Sequence, residues 1–369
     1  MKTAIIHEWL VTQAGAESVL QSIYALYPGD IFTLFHDPAG LLGTPWEHVN
    51  VRTSLLQRLP FGAKHHRAFL PLFPMAIEQF DLRGYQCVIS SSYAVAKGAL
   101  NAADQLHICY CHSPMRYVWD LTFEYLEASG LTGGLKSFFV RAIFHYIRMW
   151  DVISALRVNE FVANSHYIAR RIQKCYNRSA TVIYPPVDVE RFSLCDTREN
   201  YFMTISRLVP YKRIDLLIHA FNQLKLPLLI VGDGPALKEY KKIAQKNITF
   251  MGHLPAPEMD QHLRKARAFM FAAEEDFGIV NVEAQASGIP VIAYGRGGVL
   301  ETVLDGTTGL FFNRQDVQSV VDAVQRFLKI EHTFDPQIIR HNAEQFPRSR
   351  FEREFKSFVA EAWEKFPYK

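Results

Sequence analysis

The stretch AFMFAAEEDFGIVNVEAQASGIPVIAYG, residues 268–295, decides the fold. An apolar run of strand length, FMFAA, leads into an acidic loop, EEDFG. A helical segment, IVNVEAQAS, follows and is closed by Gly288 and Pro290, and PVIAYG then reads as a second apolar strand. Two strands joined through a helix form a parallel pair. In open parallel sheets ligands bind outside the carboxyl ends of the strands, which is where EEDFG falls. The amides of Phe277, Gly278, Ile279 and Val280 open the helix and offer an anion site. Acids beside a helix start also suit its dipole, but that explains neither Gly278 nor a further acid, Glu283, eight positions after Glu275. About one turn into the helix, the Glu283 carboxylate can accept from vicinal hydroxyls such as those of a ribose. Glu275, in the loop, reaches further along the same ligand.

Outward from this unit the whole chain alternates strands and helices. KTAIIHEW, IFTLFH, QCVISSS (86–92), LHICYCHS (106–113) and FVANS (161–165) form a first strand series, with QAGAESVLQSIYALYP as a helix opened near Gly15. Pro185 and Pro186 end that series. YFMTISRL, LPLLIVGDG, NITFMGH, AFMFAA and PVIAYG make a second. With 369 residues this predicts two α/β domains, 1–185 and 200–348, joined by a linker at 186–199. A final helix in 349–369 carries aromatic residues at helical spacing and is expected to pack back on the first domain.

Two basic residues stand near the end of the first strand of the second series, Arg207 and Lys212. A guanidinium fork beside an ammonium suits a diphosphate, although two such charges can equally be solvated. VGDGP (231–235) brings Gly232 to a strand end as a ligand-approaching loop or a plain turn. It lacks the GxGxxG spacing of a nicotinamide site. YGRGGVLETV (294–303) is another glycine-rich strand-to-helix turn.

These pieces in this order resemble the donor domain of glycosyltransferase family 4. FVANSHYIARRIQ followed by VIYPPVDVERF resembles the end of that family's first domain. The resemblance implies the GT-B fold: α/β, with two Rossmann-like, doubly wound parallel-sheet domains facing a central cleft. It implies transfer with retention and with no metal or other cofactor, Arg207 and Lys212 neutralising the leaving diphosphate. Glu275 would hold the transferred sugar, with Asp276 beside it, and Glu283 would hold the ribose. Gly15 and Glu17 stand where the family has a glycine pair and an acid, but Ala14 replaces one glycine. CYCHSPMRYVWD (109–120) and Asp276 resemble bacterial mannosyltransferases that build O-antigen and other lipid-linked polysaccharides, with lipopolysaccharide among them. The expected donor is the nucleotide-sugar GDP-mannose and the expected acceptor a lipid-linked saccharide. His112 would polarise or hydrogen-bond the donor sugar. A UDP-sugar transferase, or a non-catalytic nucleotide-sugar-binding partner of an assembly complex, are the alternatives.

Composition limits the rest. A net charge of +3 argues against nucleic acid. Five cysteines without a repeated CxxC fit reduced thiols, Cys109 and Cys111 being core residues of an apolar strand. MKTAIIHEWL is too short for a signal peptide, and charges break the apolar stretch 137–158, so a cytoplasmic protein is expected. Lys64, Arg67, Arg141 and Arg148 among apolar residues suggest peripheral contact with an anionic membrane surface at the inner face. Core helices with a cationic edge would look the same. Lys97 is a candidate for an acceptor phosphate.

Overall fold

The computed structural model describes residues 1–59, 66–195 and 197–368. Two compact units divide the chain: Met1–Pro186 with Phe351–Lys369, and Val187–Arg350. The first holds a seven-stranded sheet of β1 (Thr3–Leu10), β2 (Asp30–His36), β3 (Val51–Thr53), β4 (Cys87–Ser92), β5 (Leu106–Cys111), β6 (Glu160–Ala163) and β7 (Thr181–Val182), in the order 3-2-1-4-5-6-7. The second holds β8 (Phe202–Ile205), β9 (Leu228–Val231), β10 (Ile248–Gly252), β11 (Phe269–Phe271), β12 (Val291–Tyr294) and β13 (Gly309–Phe312), in the order 10-9-8-11-12-13. Every pairing is parallel. Both sheets are thus doubly wound, and each reverses direction once, at β1/β4 and at β8/β11.

Helices cover both faces of such sheets, so central strands are apolar along their length rather than alternating. β4 and β5 are buried at every position. The edge strands β3 and β7, of three and two residues, and the four-residue β13 have too little of that pattern to be legible in the sequence.

The segment expected as a linker, 186–199, is not a free connector. Val187 donates its amide to the Phe346 carbonyl at 3.0 Å, and Val187, Val189 and Phe192 are buried within the second unit. Apolar spacing in PPVDVERF supplies the anchor that the proline pair obscured. The last helix, Arg348–Lys365, buries Phe351, Phe355 and Val359 in the first unit's core. Their spacing of four puts them on one face, and both Phe rings meet Tyr110 of β5 edge-on, at 5.7 and 6.2 Å. Each buried ring contributes about 2–3 kcal/mol.

Candidate active site

In the second unit the loops after β8 and β11 flank the switch point, where the rule for parallel sheets puts ligands. Lys212 closes a short turn, Pro210–Lys212, and its Nζ forms an ion pair with Glu275 Oε1; both side chains keep about a fifth of their surface exposed (19% and 18%). Arg207 is exposed just past the end of β8. Asp276 is half-buried in the loop, and Phe277 anchors it, its ring buried edge-on against Phe346 at 5.5 Å. Gly278 follows with φ +83°, a conformation that side chains disfavour, and caps the helix Ile279–Ala286. Among the described residues the Ile279 and Val280 amides have no hydrogen-bond partner, whereas the Asn281 amide donates to the Gly278 carbonyl at 2.9 Å. Glu283 is half-buried, and its carboxylate has no hydrogen-bond or ion-pair partner among the described residues. Burial pushes its pKa above the ordinary carboxyl value, Arg191 opposing the shift and Asp260 and Asp188 adding to it.

Both glycine-rich turns brace these loops. Gly298 donates to the Glu275 carbonyl at 2.8 Å, and a Cβ on it would stand 2.5 Å from Phe277 Cα, so only glycine allows the backbones to approach. Gly232, at the end of β9, donates to Gly252 O at 2.7 Å. The turn it begins exchanges backbone bonds with the Arg207 loop, Leu208 N to Asp233 O at 2.9 Å and Ala236 N to Leu208 O at 3.1 Å. These are structural roles that, among the described residues, leave the Ile279 and Val280 amides open.

His112 and Gly15 belong to the first unit. Gly15 is exposed at the start of the helix Gly15–Leu26, after β1. His112, after β5, bonds Ser91 Oγ through Nε2 at 2.8 Å, and its ring lies edge-on to Tyr110 at 5.1 Å. Burial, with a smaller push from His7, lowers its pKa to about 3. The ring is therefore neutral at ordinary pH, able to hydrogen-bond but not to act as a cation. Asn164 holds the His112 carbonyl at 3.0 Å, Arg171 holds Ser113 Oγ at 2.7 Å and pairs with Asp120, and Trp119 Nε1 donates to Asp151 at 2.8 Å. Trp119 thereby shapes the CHSPMRYVWD loop.

Sequence reasoning did not find Ser91, His7 or Glu8 as polar organisers. Their signal was a His-Glu pair and a serine run inside fully buried parallel strands, where polar side chains persist only with partners. Glu8 accepts from Ser92 Oγ and from the amides of Tyr93, Ala94, Val95 and Ala96, at 2.7–3.0 Å.

Two acceptor-side expectations change. Lys97 is not available to a phosphate: it is buried and ion-paired with Asp151, which also accepts from Tyr176. Lys64 lies outside the described residues, as does the Arg67 side chain. Arg141 bonds Ser137 Oγ at 3.1 Å and Arg148 is half-buried. On the helix Gly134–Ala155 they share a side about 120° from an apolar stripe that neither marks. That stripe comprises Leu135, Phe138, Phe139, Tyr146, Met149 and Ile153, all exposed. Among the described residues no helix is long and apolar enough to cross a membrane, and no three His, Cys, Asp or Glu side chains gather as a metal site.

Two family models match the chain, Glycosyltransferase Family 4 over residues 30–191 and Glycosyl transferases group 1 over residues 188–346. The chain belongs to glycosyltransferase family 4. One relative of this family-4 chain, a GDP-mannose-dependent alpha-(1-6)-phosphatidylinositol monomannoside mannosyltransferase of Mycolicibacterium smegmatis, is 33% identical over 192 residues, 43% of this chain and 50% of that protein. A D-inositol 3-phosphate glycosyltransferase of Frankia alni is 30% identical over 182 residues, 41% of this chain and 45% of that protein. The chain thus spans about half the length of the curated relatives it matches. The crystal structure of Anabaena HepE in complex with UDP aligns with a TM-score of 0.73 at 16% identity, covering 98% of this chain and 100% of that one. The fold is the two-sheet GT-B plan of the family-4 glycosyltransferases.

Proposed function

We propose that this family-4 chain is a retaining, metal-independent mannosyltransferase. It moves mannose from GDP-mannose to a lipid-linked saccharide in polysaccharide or O-antigen synthesis at the inner face of the cytoplasmic membrane. The observation that carries the reading is the Lys212–Glu275 ion pair beside the Ile279 and Val280 amides, with a Glu283 carboxylate further along the same helix that has no partner among the described residues. A nucleoside diphosphate competes with Glu275 for Lys212, because two phosphates carry more negative charge than one carboxylate. Lys212, Arg207 and the amides then stabilise charge on the departing diphosphate, the role a metal would otherwise take. Released from Lys212, Glu275 accepts hydroxyl protons of the transferred sugar, and Glu283 accepts those of the ribose. His112, neutral, offers a hydrogen bond to the sugar. Among the described residues no side chain stands out as a covalent nucleophile, which favours departure and attack on the same face of the sugar.

Guanosine and mannose rest on the Mycolicibacterium smegmatis relative's name, and a UDP-sugar donor is favoured instead by the UDP seen in Anabaena HepE. A thermal-shift panel of GDP-mannose, UDP-glucose and ADP-glucose, run in chelator, separates them, since a ligand of the folded state raises its melting temperature. The reading expects GDP-mannose to give the largest shift, and turnover with a lipid-phosphate acceptor to survive chelation. A shift with UDP-glucose alone reassigns the donor, and binding without turnover leaves a nucleotide-sugar-binding partner.

Membrane contact is supported by the apolar stripe on Gly134–Ala155. The helix carries Lys136, Arg141 and Arg148, while its one acid, Asp151, is buried in an ion pair. An exposed apolar stripe on a helix whose remaining side chains carry net positive charge suits an anionic lipid surface, the cations beside the stripe adding electrostatic attraction. Flotation with anionic vesicles should be lost in Phe138→Ser/Phe139→Ser and weakened by salt. Equal absence from anionic and neutral vesicles at low salt removes this part of the reading.

A further inference from the structure

The first unit carries a buried polar chain that ends on His112 and whose other members, Glu17, His7 and Ser91, the donor chemistry does not use. Glu17 Oε1 lies 3.2 Å from His7 Nε2, His7 Nδ1 lies 3.2 Å from Ser91 Oγ, and Ser91 Oγ lies 2.8 Å from His112 Nε2. His7 and Ser91 are wholly buried, and Glu17 and His112 nearly so. Tyr93 stands edge-on to both imidazoles, with centroids at 5.9 and 6.0 Å. Three elements supply the chain: β1 gives His7, the following helix gives Glu17, and β4 gives Ser91. The four groups come from positions 7, 17, 91 and 112 and meet at the carboxyl ends of three neighbouring strands, β1, β4 and β5.

We infer that Glu17, His7 and Ser91 are positioning residues for His112: their hydrogen-bond chain, anchored at Glu17, selects the His112 tautomer and so decides whether Nδ1 accepts or donates. A carboxylate only accepts, so His7 carries its proton on Nε2. With that single ring proton, His7 accepts at Nδ1 from the Ser91 hydroxyl. Having donated its proton, that oxygen accepts from His112 Nε2–H. Nδ1 of His112 is left as a bare acceptor, suited to a sugar hydroxyl that donates. For a His7 ring with one proton each link is forced by the one before, because a hydroxyl has a single proton and such an imidazole has one donor and one acceptor. His112 cannot take a second proton to escape the choice, since burial keeps its ring neutral well below ordinary pH. The functional meaning rests on the transferase reading, but the tautomer itself does not.

The test uses the ligand-free full chain labelled with 15N-imidazole histidine, where NMR distinguishes the two nitrogens of each neutral ring, and loss of a signal in His112→Asn assigns it. The native protein should show His112 as one tautomer, protonated on Nε2. Glu17→Gln, three hydrogen bonds away, introduces a donor that can reverse the whole chain, so the other His112 tautomer should appear. Ser91→Ala cuts the chain and should give a mixture, while Ser91→Thr restores the single form. Melting curves check that each variant is folded. The inference is overturned if folded Glu17→Gln and Ser91→Ala both keep the native tautomer, or if the native ring is already mixed. No donor enters the experiment, so failure of the transferase reading would leave its result standing, and the reverse also holds.

Discussion

The two switch points share a topology and differ in what fills them. At β1/β4 the chain supplies its own anion: Glu8, near the end of β1, takes the hydroxyl of Ser92, the last residue of β4, and the four amides after it, and is wholly buried. At β8/β11 the corresponding amides, at the start of Ile279–Ala286, are left for something else, and the nearby carboxylate Glu275 is held instead by Lys212 in a partly exposed pair. One arrangement is satisfied internally, the other can exchange partners. A parallel sheet therefore creates an anion-attracting position at its switch point by geometry, and the side chains decide whether it serves folding or binding.

Glu8→Ala should break the first arrangement most severely. Each buried amide left without a partner costs about 1–3 kcal/mol, and entering water offsets part of that, so a loss on the order of 4 kcal/mol is expected in urea unfolding. Glu275→Ala should do the opposite: it costs under about 1 kcal/mol of stability, since a partly exposed pair contributes little, and it lowers turnover by about 100-fold through misplacement of the sugar. Equal destabilisation by the two substitutions would erase the contrast between self-filled and open sites.

Within the open site, Glu283→Ala should weaken GDP by about 10- to 100-fold in calorimetry, a hydrogen bond to a charged group contributing about 1.5–3 kcal/mol. Glu275→Ala should leave GDP affinity nearly intact. The reverse pattern would exchange the two acids' roles, and no change in either would reduce EEDFGIVNVE to a well-capped helix.

The smallest effect concerns stability alone. Burial chiefly raises the folded pKa of Glu283, with Arg191 opposing the shift and Asp260 and Asp188 adding to it. A carboxyl raised on folding costs no stability below its unfolded pKa; the cost grows as pH rises from there to the folded pKa and is constant above. Glu283→Gln should therefore melt higher than the native chain at pH 7, and the two should converge as pH falls below about 4. A lower melting temperature at pH 7 would show Glu283 to be a structural acid, like Glu8, rather than a group held ready for a ligand.

By itself the sequence determined the alternation of strands and helices, the loops bearing Arg207, Lys212 and Glu275, the helix bearing Glu283, and the aromatic face of the last helix, because each is written in local period, caps and breakers. The tertiary structure alone decided which polar residues are spent on one another. Lys97 reads as a free cation in YAVAKGA but meets Asp151 across 54 positions, and the His7–Ser91–His112 chain spans more than 100. It also decided that residues after Pro186 fasten to Phe346, and that Arg141 and Arg148 lie to one side of the apolar stripe. Partners that distant are joined by the crossovers of a doubly wound sheet, and no local window records which strand ends those crossovers bring together.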